Sequence, residues 1–141
     1  MTILVFADHD NDSLRDATLN VVEAAKALGG DIHVLVAGSG CAPAADAAAK
    51  IDGVSKVLIA DDALYAHALA EELAPLVTSL MEGYDAVLAS ASTTGKNFMP
   101  RVAAKLDVAQ ISDITAVVST DTFERPIYAG NALSTVRSDE A

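Results

Sequence analysis

The chain has 141 residues, enough for one domain that buries roughly two-thirds of the surface its unfolded form exposes. Twenty acids against nine bases give a formal net charge of −11. That field repels phosphate, which argues against non-specific nucleic-acid binding and against attraction to anionic membranes. With 52% apolar but only 4% aromatic residues, the core must be packed from Ala, Val and Leu.

Ile3 to Ala7 is a near-continuous apolar run, the pattern of a strand covered on both faces. The polar stretch Asp8-His9-Asp10-Asn11-Asp12-Ser13 follows as a loop, with Asp12 or Ser13 expected to cap the next helix. That helix is predicted over Leu14 to Leu28, with Leu14, Ala17, Val21 and Ala25 on one stripe and Gly29-Gly30 closing it. His33 to Ala37 gives a second strand and Ala42 to Ile51 a short Ala-rich helix. Val57 to Ala60 is a third strand. The longest helix is expected over Leu64 to Met81, with Leu69, Leu73, Leu76 and Leu80 as its apolar stripe and Pro75 kinking it.

Asp85 to Ala89 is the fourth strand, with Val87, Leu88 and Ala89 read as buried. A small-residue loop follows, then a helix with Phe98, Val102 and Leu106 on one face and Thr93 or Thr94 as its cap. Gln110 to Val118 is predicted as a fifth strand. Thr122 to Tyr128 and Asn131 to Val136 read as two β segments of a hairpin or added antiparallel edge. Strands alternating with helices predict an α/β fold, a doubly wound and mostly parallel sheet with that hairpin near the C-terminus. If the fourth strand returns beside the first, the loops Asp8–Ser13 and Ser90–Gly95 meet at a switch point, where open α/β sheets bind ligands.

Several familiar chemistries fail on inspection. A P-loop needs glycine where Ser90 stands and a hydroxyl where Asn97 stands. The turn VAGSGCAP over 36–43 begins like a dinucleotide fingerprint at Gly38 and Gly40, but its third position is Pro43 and it follows the second strand. Asp8, Asp10 and Asp12 start like a calcium loop, yet no glutamate completes it. His9, an aspartate and Ser92 could form an acid–base set, but there is no G-x-S-x-G elbow. Cys41 is the single cysteine, so no internal disulfide or cysteine metal cluster can form; it is read as structural even if it lies at a helix start. What remains is a candidate anion or interface site at the two loops. Its residues are His9, Asn11 and Ser13 on one side and Ser92, Thr93, Thr94, Gly95 and Lys96 on the other. No apolar run approaches the ~20 residues that span a bilayer. The chain opens directly into a strand without a signal or transit peptide, so the expected location is the bacterial cytoplasm, without membrane insertion.

Two stretches carry a resemblance. The run Ser92-Thr93-Thr94-Gly95-Lys96-Asn97 with Pro100-Arg101-Val102-Ala103-Ala104-Lys105-Leu106 and Ile111-Ser112-Asp113-Ile114 resembles the alpha subunit of electron-transfer flavoprotein. So does Arg125-Pro126-Ile127-Tyr128-Ala129-Gly130-Asn131-Ala132-Leu133. The resemblance implies an adenine-nucleotide alpha-hydrolase-like (Rossmann-like) domain over 1–141, incomplete at its C-terminal edge, within a heterodimer with a beta subunit. It implies an electron carrier rather than an enzyme. Its electrons would come from acyl-CoA and other flavin dehydrogenases, as in fatty-acid β-oxidation, and pass to a quinone oxidoreductase. FAD belongs to the full complex, held mainly by a C-terminal domain of the alpha subunit, and none is expected in this chain alone. Arg101, Asp113, Tyr128 and Asn131 are assigned structural or interface roles, Arg101 with Asp107 or Asp113 as nearby acids. The alternative reading is a free-standing AMP- or ATP-binding module of the same fold.

Overall fold

Strand β1 (Thr2–Phe6) lies inside a parallel sheet, between β2 (Asp31–Gly38) and β4 (Ala86–Ala89), with β3 (Val54–Asp61) beyond β2, so that the order is β3-β2-β1-β4. A computed structural model describes residues 1–67 and 69–138. The alternation of β1 explains its continuous apolar run. Ile3, Val5 and Ala7 face one core with helices α1 (Asp16–Leu28) and α2 (Ala42–Ala49), while Leu4 and Phe6 face a second core. That second core holds α3 (Ala70–Leu80) and α4 (Thr93–Leu106), where Phe6 meets Phe98 with ring centroids 4.5 Å apart. Burial on both faces is what selects an unbroken apolar strand over an alternating one. Strand β3 (Val54–Asp61) completes the far edge.

The expected doubly wound sheet with a C-terminal antiparallel addition is therefore present. The addition is a separate three-stranded sheet, β5 (Ala116–Val117), β6 (Thr122–Ile127) and β7 (Ala132–Arg137), all antiparallel. Val117 and Phe123 pack it against the core on the α1 side.

Five expectations need correction. The fifth strand over Gln110–Val118 shrinks to Ala116–Val117 and leaves the parallel sheet. Asp113 adopts a left-handed φ of 57°, which breaks the extended run, and the N–H groups of Thr115 and Val118 donate to Glu124 and Thr122 instead. Among the described residues no strand pairs with the outer side of β4, which is half-buried rather than buried.

Helix α1 begins at Asp16, after an Arg15 N-cap with no side-chain bond, because Asp10 spends its carboxylate on the N–H groups of Asp12 and Ser13 (3.1 and 2.8 Å). The helix expected over Leu64–Met81 is split: Asp62 caps a 3-10 turn at Ala63–Tyr65, Leu69 is extended, and α3 starts at Ala70. Ala68, inside the expected span, lies outside the described residues. Leu69 is exposed, and the buried face of α3 is Ala70, Leu73, Ala74 and Val77. Pro75 sits within α3 without ending it, and α4 is the longest helix among the described residues. Finally, the cap of α4 is Ser92, not a threonine.

Candidate functional site

The parallel order puts the carboxyl ends of β1 and β4 side by side, as the switch-point argument required. What meets there is Asp8. Buried Thr18 on α1 clamps that residue from both directions: its Oγ1 accepts the Asp8 N–H at 2.9 Å and donates to the Asp8 carbonyl at 3.0 Å. The Asp8 carboxylate, 13% exposed, lies 3.4 Å from Arg15 Nε and 3.3 Å from Ser90 Oγ. Ser90 Oγ is also 3.2 Å from Ser92 Oγ, which accepts the Gly95 N–H at 3.2 Å to cap α4. Ser90 has one hydroxyl proton, so it donates to Asp8 or to Ser92 but not to both.

The helix start approaches this turn closely. A Cβ on Gly95 would overlap the Ser90 carbonyl oxygen, which is why the residue after the two threonines has none. Beside it lies a cavity of about 300 Å³ reached by Asn20, Lys96, Gln110 and Asp113. Lys96 points its ammonium towards Asp113 at 3.7 Å.

The first loop turns the other way, onto β2. His9 Nε2 donates to the Ala37 carbonyl at 2.9 Å, and His9 Nδ1 accepts the Asn11 N–H at 2.9 Å. A carbonyl can only accept and an amide N–H can only donate, so these two bonds fix the neutral tautomer and occupy both ring nitrogens. His9 is thus a brace rather than a base, and the His9–Ser92 acid–base set does not assemble. Asn11 Oδ1 accepts the Ser39 N–H at 3.1 Å. Gly38 leaves the room for this: a Cβ there would collide with both Asn11 and His9. The Gly40 N–H, which a phosphate would need at this turn, is taken by Asp61 Oδ1 at 2.8 Å. This turn therefore does not fit a flavin or nucleotide phosphate.

Ser13 hydrogen-bonds Asp10, whose carboxyl is held below the usual carboxylate range chiefly by the Ser13 N–H, then by that of Asp12. Thr93 and Thr94 are the first two helical residues of α4 and line no cap. Among the described residues, no group of three or more His, Cys, Asp or Glu is placed to hold a metal ion. Cys41 does stand at the start of α2, but it is buried, and desolvation followed by the Asp61 charge pushes its thiol up, away from thiolate chemistry.

The switch point is a braced polar turn in which the N–H groups of Ser39, Gly40 and Gly95 are taken by the side chains of Asn11, Asp61 and Ser92. Residues 3–141 match the family described as the electron transfer flavoprotein domain. The chain belongs to that family. It is 64% identical over its whole length to an electron transfer flavoprotein subunit alpha of Pseudomonas aeruginosa, covering 46% of that protein. The subunit of the same name from Bradyrhizobium diazoefficiens is 62% identical, with 45% of it covered, and a mitochondrial one from Dictyostelium discoideum is 48% identical, with 41% covered. The chain thus spans less than half the length of these relatives, and corresponds to the N-terminal domain of the alpha subunit.

The residues assigned structural or interface roles fall in three places. Arg101 reaches Glu71 at 3.6 Å, joining α4 to α3 across the surface rather than meeting Asp107 or Asp113. Asp113 holds Lys96 from its left-handed turn. Tyr128 stands 79% exposed at the β6–β7 tip, where Tyr128, Ala129 and Gly130 all have positive φ, and the exposed Asn131 closes the turn by donating its N–H to the Tyr128 carbonyl at 3.1 Å. Sequence reasoning missed the Asp8–Thr18–Ser90 cluster as the centre of the site. The available signal was position: Asp8 is the first charged residue after β1. No described helix is long and apolar enough to cross a membrane.

Proposed function

We propose that this chain is the N-terminal scaffold and subunit-contact domain of an electron-transfer flavoprotein. In the whole protein it pairs with a beta subunit. That complex carries electrons from flavin dehydrogenases, among them the acyl-CoA dehydrogenases of fatty-acid β-oxidation, to a quinone oxidoreductase. FAD belongs to the complex, outside this domain.

The observation that carries this reading is the match over residues 3–141 to the electron transfer flavoprotein domain. The site's chemistry supports it. Asp8 at the floor of the crevice repels an incoming phosphate, Lys96 is drawn to Asp113, and Asp61 fills the Gly40 donor. The AMP- or ATP-module reading needs those donors free, so it is the weaker one. Contact with a partner suits the β6–β7 tip, where Tyr128 and Leu133 are 79% and 67% exposed, since exposed aromatic and aliphatic groups anchor interfaces.

Co-expression with an electron-transfer flavoprotein beta subunit tests the reading. The two chains are expected to co-elute one to one, and Tyr128→Ser is expected to weaken the complex roughly tenfold or more. A chain that elutes alone at micromolar concentrations of both partners speaks against a subunit-contact role.

A further inference from the structure

We propose that the turn Asp52-Gly53 is a modification site, at which Asp52 converts spontaneously to isoaspartate through a cyclic succinimide. The inference rests on the turn itself and not on the electron-carrier reading. Asp52-Gly53 is the one Asp-Gly pair in the sequence. It stands between α2 and β3, just before Val54 opens the pairing of β3 with β2. The Asp52 side chain is as exposed as in an open chain, 104%. It lies 3.9 Å from Lys26, whose ammonium is taken more closely by Glu23 at 2.8 Å, and so exposed a pair holds the carboxyl only weakly. Gly53 has a φ of 91°, and its N–H makes no hydrogen bond among the described residues. Without a Cβ, glycine leaves that nitrogen open to approach and lets the peptide turn towards the side chain.

The chemistry balances with water as its only co-reactant. The Gly53 nitrogen attacks Cγ of the protonated Asp52 carboxyl, the N–Cγ bond forms, and the amide proton leaves with the carboxyl hydroxyl as water. A second water then opens the five-membered ring at either carbonyl. Opening at Cγ restores aspartate. Opening at the main-chain carbonyl breaks its bond to the Gly53 nitrogen, so that the chain runs through Cγ and the old carbonyl becomes a free carboxylate. The mass is unchanged and the backbone is one methylene longer. That methylene enters beside Val54, whose N–H reaches the Ile51 carbonyl at 3.3 Å and which pairs with Ile32, so the modified turn loosens the entry of β3. Two comparable pairs in the chain lack one requirement each. Exposed Asp12 precedes the small residue Ser13, but the Ser13 N–H is bonded to Asp10 Oδ1 at 2.8 Å. Exposed Glu82 precedes Gly83, but its extra methylene demands a less favourable six-membered ring.

Heavy-oxygen water reads the reaction, because each ring opening leaves one heavy oxygen on the residue. The folded 141-residue chain is incubated in it at neutral pH and then mapped peptide by peptide. Label is expected at Asp52, about tenfold or more above that at Asp12, where the neighbouring N–H must first leave a carboxylate. Part of the labelled peptide is expected to resist a protease that cleaves before aspartate but not before isoaspartate. No label at Asp52, equal label at Asp12, or complete cleavage of the labelled peptide overturns the proposal. The variant Asp52→Glu keeps the charge and the exposure of the side chain and enlarges the ring. It is expected to lose the label. Label retained at position 52 in that variant means direct exchange of carboxyl oxygen with water, and overturns the ring.

Discussion

Thr18 is the residue on which the carboxyl edge depends most. Its hydroxyl both accepts from and donates to the backbone of residue 8, and it is buried with no exposure to water. Replacing it by valine keeps the shape and leaves a buried N–H and carbonyl unpaired, at a cost of about 2 kcal/mol. Thr18→Val is therefore expected to lower the melting temperature by roughly 5–10 °C, and Thr18→Ser to restore most of that. Equal melting of wild type and valine variant would mean that water replaces the hydroxyl. Arg101 is the contrasting case: its side chain is 49% exposed, and its pair with Glu71 is a surface contact of small worth. Periodicity could place Thr18 on the buried face, at helical spacing from Val21, Val22 and Ala25, but could not find the clamp, because spacing does not say which backbone groups its hydroxyl meets. Its role appears only when the loop after β1 is folded back onto α1.

At the scale of elements, the start of α4 shows what a single missing Cβ allows. Ser92 caps the helix, and Gly95 brings the first turn against the Ser90 carbonyl. Gly95→Ala is expected to destabilise the fold by about 2 kcal/mol or more, since backbone rather than a flexible side chain must move. The check is urea unfolding against Gly40→Ala, where a Cβ meets open space but a φ of 64° still imposes strain. If the Gly95 variant is the milder of the two, the close approach is not what sets its cost.

Strand periods were legible where both faces were buried, as in β1 and β2, and the β6–β7 hairpin was legible although β6 is only half-buried and β7 alternates between half-buried and exposed. They misled at Gln110–Val118, where apolar composition suggested a strand but a left-handed Asp113 and pairing with β6 decided otherwise. The long helix misled for a similar reason. The side chain of Asp62 caps a short 3-10 turn, and that local bond overrides the Leu69–Leu73 spacing.

For the whole molecule, the strand order could be argued from the sequence because crossover rules leave few arrangements once strand four returns beside strand one. The meeting of the two loops was narrower than expected. Asp8 joins Ser90, while His9 and Asn11 brace β2 instead. No pattern of single residues predicts that split, since it turns on which backbone groups the side chains find. The outcome is a carboxyl edge in which the first loop is tied to β2 and the Asp8 carboxylate faces Ser90 beside the cavity of about 300 Å³.

The most direct test of the proposal that FAD lies outside this domain is to incubate the 141-residue chain with excess FAD, and separately with AMP, and to desalt it. The account predicts a colourless protein with no retained nucleotide. A stoichiometric flavin absorbance, or one AMP per chain, would contradict it and restore the crevice as a binding site.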